Sequence, residues 1–311
     1  LADLAEKYID CPIAGRTHVQ HAVPITFGLK IAVWLMEIRR HLDRMEDCKK
    51  RLFAASFYGA SGNLASLGQD GLKVTEKMAH YLDLDFVPVP WHTSRDNLAE
   101  FISVLTGISS TFGKIASELY ELSRTEVGEV EEPWTYGNVG SSTMPQKRNA
   151  FGLEAMVGLS KITQFEQGAI YAGMMHEHER DFRAANIEGF TIFMTCSMTE
   201  KNLHYAQLIL ERLTVHPDKM LSNLDMTGGL IMSESIMMHL GEKMGRLTAH
   251  EKIYEMAMDA FTNGKHLKDL VLADQDIMAL CTPEEIEACF APIAYVGDAH
   301  RMVLEALKAS R

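Results

Sequence analysis

The sequence predicts an all-α protein, an elongated bundle of long helices followed by a smaller helical C-terminal domain. Three observations carry this. Only nine prolines interrupt 311 residues. The apolar positions between them recur at helical rather than strand period. Two stretches keep a heptad spacing for long enough to require helices of roughly 40 Å at 1.5 Å per residue.

The first stretch lies between Gly28 and Gly59, where Ile31, Leu35, Ile38, Leu42, Met45 and Leu52 advance by 4, 3, 4, 3 and 7. Arg39, Arg40, Asp43, Arg44, Glu46 and Asp47 fill the positions between them, as a solvated helix face would. Gly59-Ala60-Ser61-Gly62-Asn63 punctuates that helix, and Val87-Pro88-Val89-Pro90 forces extended backbone before the second. In the second, Phe101, Leu105, Ile108, Phe112, Ile115, Leu119 and Leu122 alternate steps of 4 and 3. Residues Gly137 to Pro145 break the pattern, and it resumes from Phe151 through the Leu159 region, so a loop there feeds another long helix. Near the end, Thr282-Pro283-Glu284-Glu285 sets Thr at N-cap, Pro at N1 and Glu at N3 of a further helix. The bundle is expected over residues 1–243 and the C-terminal domain over 244–311.

Composition narrows the functional classes. With 47% hydrophobic residues the chain can bury a sizeable core. Its 42 acidic residues outnumber 30 basic ones, and a net charge of -12 argues against nucleic acid or an anionic membrane surface as partner. Cys11, Cys48, Cys196, Cys281 and Cys289 are odd in number, far apart and without CxxC spacing, which indicates neither a disulfide framework nor a zinc knuckle and fits a reducing cytoplasm. No 18-residue apolar run marks a membrane span. The opening Leu1-Ala2-Asp3-Leu4-Ala5-Glu6-Lys7 lacks an initiator Met and an export signal.

The residues from Gly140 to Asn149 concentrate chemistry: Gly140-Ser141-Ser142-Thr143-Met144-Pro145-Gln146-Lys147-Arg148-Asn149. Lys147 and Asn149 suit a carboxylate, and a serine could remove a proton beside it. Such abstraction creates an aci-carboxylate, which needs fixed cationic and hydrogen-bonding groups where the charge develops. By composition alone the same residues also describe a polar surface loop between helices. Met174-Met175-His176-Glu177-His178-Glu179-Arg180-Asp181 invites a metal, but His176 and His178 stand two apart and would point to different sides of a helix. No metal ligand is assigned. The 19 methionines are expected in an adaptable core.

The loop matches Gly-Ser-Ser-x-Met-Pro-x-Lys-x-Asn, the signature of the fumarase/aspartase lyase superfamily, at every specified position. The segment from Gly15-Arg16-Thr17-His18-Val19-Gln20-His21 to Gly28 resembles the family's Thr-His segment, in the right order and spacing, and the resemblance extends over essentially the whole chain. It implies a long-helix bundle of the fumarase/aspartase type and a homotetramer with shared active sites. It implies a small-molecule carboxylate substrate and no cofactor. The family's N-terminal helical region is expected to precede this chain.

The resemblance places the general base on Ser141, with Ser142 beside it as an alternative. His18 matches the histidine that protonates or polarises the leaving side, and Glu154 the glutamate that orients it. Lys147 and Asn149 correspond to carboxylate-binding positions. Thr17, Gln20, Arg95 and Arg180 carry over as substrate-binding residues. His21 has equal claims as a site residue and as a packed histidine.

Two branches compete. Pro90-Trp91-His92-Thr93-Ser94-Arg95-Asp96, the run from Gly59 to Gly68, and Tyr295-Val296-Gly297 resemble 3-carboxy-cis,cis-muconate cycloisomerase. Met226 and Ser235 stand where adenylosuccinate lyases align arginines for the nucleotide phosphate. His18 and His178-Glu179-Arg180-Asp181 suit adenylosuccinate lyase instead. The sequence thus points to a cycloisomerase-like enzyme acting on a succinyl-type di- or tricarboxylate, with adenylosuccinate lyase as the alternative. A non-catalytic structural protein on this fold would be expected to have lost the serine, lysine or histidine, and a coiled-coil interaction protein would leave the loop unexplained.

Overall fold

A computed structural model of the chain describes residues 1–134, 141, 143–144 and 146–310. Ser142, Gly140 and Pro145 therefore lie outside the described residues. In chain order, α1 (Ala2–Lys7) leads into an antiparallel hairpin of β1 (Pro12–Thr17) and β2 (Gln20–Thr26), then into α2 (Phe27–Leu52), α3 (Gly71–Tyr81) and α4 (Asp96–Leu122). The two-residue strands β3 (Val130–Glu131) and β4 (Thr214–Val215) pair with each other. Between them in sequence run α5 (Phe151–Gly173) and α6 (Phe182–Glu211). The remaining helices are α7 (Pro217–Leu224), α8 (Ser233–Met244), α9 (Arg246–Asn263), α10 (Leu267–Ala273), α11 (Gln275–Met278), α12 (Pro283–Cys289) and α13 (Ala299–Ser310). The fold is all-α apart from these short strands. No helix among the described residues is long and apolar enough to cross a membrane.

The chain forms two compact units that interleave along the sequence. The first contains Leu1–Met36, Leu122–Glu131 and Thr214–Arg311, the second Glu37–Glu121 and Glu132–Leu213.

In the second unit the heptad residues of α4 become core: Leu105, Phe112, Ile115, Leu119 and Leu122 are buried. Ala99, Ile102 and Leu105 pack with Ile170 of α5, and Ile192 and Cys196 of α6 close over them. Farther along, three helices meet at buried polar side chains. Asn202 of α6 donates to the Ser109 hydroxyl of α4 (2.9 Å) and the Ser160 hydroxyl of α5 (2.9 Å), while Ser160 donates to the Ser109 carbonyl (2.6 Å). Gly113 makes this approach possible, because a Cβ there would stand 2.4 Å from Ser160 Oγ. The α2 seam is less buried, with Leu42 54% exposed.

In the first unit, Ile236, Leu240, Ile253, Leu267, Val271, Ile277 and Ile286 gather α8 to α12 around one core. Thr282 and Glu285 complete the expected capping box at the start of α12. Gly28 lets the start of α2 meet α1 closely, since a Cβ would fall 2.7 Å from the Ala5 carbonyl oxygen.

Candidate active site

The hairpin is the main departure from helix in the first unit, and it carries His18. Thr17 pairs with Gln20, so His18 and Val19 form a two-residue turn with φ of 50° and 62°. Both angles are left-handed, as the right-handed twist of the flanking strands demands. A β-branched valine there is unfavourable, and Val19 is 89% exposed, so burial does not compensate. Thr17, His18 and Gln20 are exposed with it at the tip. Three of the expected residues thus stand together around one exposed turn.

Below the tip, Arg16 forms a two-pronged ion pair with Glu129 at 2.9 and 2.7 Å, and Asn223 donates to the same carboxylate at 2.8 Å. Glu129 is fully buried, so two fixed donors answer a charge that would otherwise be costly. His21 lies beside this pair. Its Nδ1 is buried without a partner, and burial first, then the Arg16 charge, pushes its imidazole below the ordinary range. His21 is therefore neutral at neutral pH.

In the second unit, the Ser141 hydroxyl oxygen accepts the backbone N–H groups of Thr143 (3.3 Å) and Met144 (3.1 Å), and Lys147 N–H closes a turn onto the Met144 carbonyl (3.0 Å). Donors aimed at an oxygen favour its ionised form. Lys147 is exposed and Asn149 half-buried. Where α5 begins, the Glu132 carboxylate accepts the N–H groups of Gly152 (3.0 Å) and Leu153 (3.1 Å), fixing the helix onto which the loop runs. Glu154, in the first turn of that helix, accepts from the Tyr120 hydroxyl at 3.2 Å.

A second group of expected residues lines a cavity of about 160 Å³ in the same unit, bounded by His92, Arg95, His176, Arg180, Asp181 and Glu188. Arg95 is held by Glu188, with one contact of 2.5 Å, and lies over the Trp91 ring at 5.1 Å. Arg180 differs. It reaches only the Gly59 carbonyl at 3.4 Å and His92 Nδ1 at 3.5 Å, and no carboxylate among the described residues pairs with it. Burial, then Arg180 and Arg95, lowers the His92 pKa and keeps that ring neutral. Both ring nitrogens of His176 are buried without partners. The cavity therefore offers one uncompensated guanidinium and two unanswered ring nitrogens, a chemistry suited to an anion with further polar groups.

The helix expected across His176 and His178 is not formed. These residues occupy the turn between α5 and α6, where His178 takes a left-handed φ of 55° and Asp181 caps α6 by accepting from Arg183 N–H at 2.9 Å. Charged hydrogen bonds from Arg183 hold the Asp181 carboxyl down to about 2. Neither histidine joins a three-donor metal group among the described residues.

The profile of a lyase family matches residues 1–163, and one described as the adenylosuccinate lyase C-terminus matches 229–306. The chain belongs to the fumarase/aspartase lyase superfamily. Among its lyase relatives, N-acetyl-S-(2-succino)cysteine lyase of Enterococcus italicus is 37% identical over 96% of this chain and 65% of its own length. Adenylosuccinate lyase of Methanocaldococcus jannaschii is 37% identical, covering 99% of this chain and 67% of that protein. The crystal structure of 3-carboxy-cis,cis-muconate lactonizing enzyme from Pseudomonas putida superposes with a TM-score of 0.94 at 34% identity, over 99% of this chain and 68% of that one. The chain thus spans about two thirds of the length of the lyases it matches.

The sequence did not single out Glu132, which holds the start of α5, or Glu129, which holds Arg16, and it weighed His176, which lines the cavity, only as a metal ligand. Glu132 had no helical pattern around it, and Glu129 finds Arg16 across 113 positions.

Proposed function

We propose that this lyase abstracts a proton beside a carboxylate of a succinyl-type substrate and expels the group on the neighbouring carbon, or runs the reverse addition. Ser141 carries the proposal. Its oxygen already faces two backbone N–H donors, which stabilise the alkoxide needed to take the proton. The electron pair left on carbon moves into the carboxylate, where Lys147 and Asn149 hold the developing aci-carboxylate. The double bond then forms as the bond to the leaving atom breaks, and His18 gives that atom a proton. Serine ends as a hydroxyl, so the cycle requires proton return to His18 and removal from Ser141. Arg180, lacking a carboxylate partner among the described residues, is the natural holder of a second substrate carboxylate.

Two relatives bear names containing a succinyl unit, N-acetyl-S-(2-succino)cysteine lyase and adenylosuccinate lyase. A third, 36% identical, is 3-carboxy-cis,cis-muconate cycloisomerase from Pseudomonas aeruginosa. Met226 and Ser235 offer no cation for a nucleotide phosphate, which favours a small cycloisomerase-like substrate. The matched adenylosuccinate lyase C-terminus favours the nucleotide as second reading.

The deciding assay follows the ultraviolet absorbance of a fumarate-like product across S-, N- and O-linked succinates, a carboxymuconate and adenylosuccinate. Turnover of a small di- or tricarboxylate is expected. Efficient turnover of adenylosuccinate would replace the first reading with the second, and a folded full-length protein inert towards all of them would end both.

A further inference from the structure

The described residues hold one cluster of three metal donors, and it lies in the first unit, outside every group described above. His239 sits on α8, Cys281 directly precedes the Thr282 cap of α12, and Glu285 is the third residue of that helix. One donor atom from each lies within 4.8 Å of the other two. Cys281 is a free thiol, 5% exposed. His239 Nε2 is buried with no hydrogen-bond partner, and a buried nitrogen in that state calls for something to answer it.

A cation already answers the Glu285 carboxylate. Lys243, one helical turn after His239, places its ammonium 2.8 Å from both Glu285 oxygens and 3.0 Å from the Leu280 carbonyl. Its side chain is 26% exposed, and its flexible stem can carry the charge out to water. Glu285 Oε2 also accepts the Thr282 N–H at 2.9 Å. That cap would hold the carboxylate in place while Oε1 turned to a metal, the supporting role that outer hydrogen bonds play at metal sites.

We propose that His239 Nε2, Cys281 Sγ and Glu285 Oε1 form a structural zinc site, with Lys243 holding the place of the metal in the protein without it. An imidazole nitrogen, a thiolate and a carboxylate oxygen suit this borderline-soft ion, with a fourth position for water. Donors around zinc stand about 3.3–3.8 Å apart when bond lengths are 2.0–2.3 Å. The three side chains therefore need to close by only about 1 Å. Binding sends the Cys281 proton to solvent and breaks the Lys243–Glu285 contact, so affinity rises with pH. The metal would fasten α8 to the start of α12. It takes no part in the elimination.

Untagged full-length protein, stripped of metal and titrated with Co²⁺, tests this directly. One equivalent should develop tetrahedral cobalt absorption together with a thiolate-to-cobalt charge-transfer band, and Zn²⁺ should displace it and raise Tm. His239→Gln and Cys281→Ala should each abolish the band. Circular dichroism checks their folding, and the half-buried His239→Gln variant decides alone if Cys281→Ala does not fold. Lys243→Ala should tighten binding by about tenfold, the scale on which changes around metal ligands act. No band in the parent, a band that persists in His239→Gln, or weaker binding in Lys243→Ala would overturn the proposal. Turnover of His239→Gln should equal that of the parent.

Discussion

The Ser141 oxygen accepts two backbone N–H groups, and these donors stay in place when the side chain is removed. Ser141→Ala should therefore lower kcat by several orders of magnitude and leave KM nearly unchanged, since it deletes a group that acts in the transition state. Steady-state kinetics beside Ser142→Ala reads this, and near-native turnover in both variants would refute a serine base. Lys147→Ala should raise KM and lower kcat together, because it removes the cation both from the bound carboxylate and from the aci-carboxylate. Val19 supplies a test of stability. Its left-handed φ of 62° costs a β-branched residue about 1–2 kcal/mol. Asparagine tolerates that conformation, so Val19→Asn should gain about 1 kcal/mol in denaturant unfolding. No gain would mean that the turn is not left-handed in solution.

Helix α4 approaches α5 at Gly113, where two opposing effects meet. Alanine is favoured over glycine inside a helix by about 1 kcal/mol. Its Cβ, however, would stand 2.4 Å from Ser160 Oγ and 2.6 Å from Ser160 Cβ. The Ser160 hydroxyl has little freedom to leave, being held by bonds to the Ser109 and Met156 carbonyls and by Asn202. Overpacking costs about 1–3 kcal/mol, so the clash should win and Gly113→Ala should lower the denaturant midpoint. Removing the obstructing Cβ in a Gly113→Ala, Ser160→Gly double variant should recover part of that loss. A more stable single variant would show that α4 and α5 separate at no cost.

The chain leaves large aromatic side chains in water along two of its longest helices. Phe165 on α5 is 79% exposed, and on α6 Phe182, Phe190 and Phe193 are 73%, 62% and 68% exposed. Apolar exposure of this extent marks surfaces that associate, and it supports the proposed homotetramer. Light scattering of the full-length protein should give a stable tetramer, and a monomer at assay concentration would refute it. If His18 and Ser141 of one site come from different subunits, mixing inactive His18→Ala and Ser141→Ala proteins should restore part of the activity. Failure at every mixing ratio, with subunit exchange verified, would argue against shared sites.

Local rules made the helices legible. The heptad spacing of α4, the capping box at Thr282 and the restart of helix at Phe151 all depend on residues within a turn or two of one another. The signature loop was equally legible because its residue types stand in one short run. The sequence by itself thus determined the helical class, the superfamily and the identity of Ser141, Lys147 and His18 as candidates. It did not disclose the hairpin under His18, whose strands are short and whose turn uses His18 and Val19 rather than the expected Asn-Gly. Nor did it disclose Arg16 with Glu129, Arg95 with Glu188, or His239 with Cys281. Those meetings join residues tens of positions apart, and no periodicity or cap encodes them. Only the packing of the helices decides which charges are buried together, and with that which of them must pair and which stay open to a ligand.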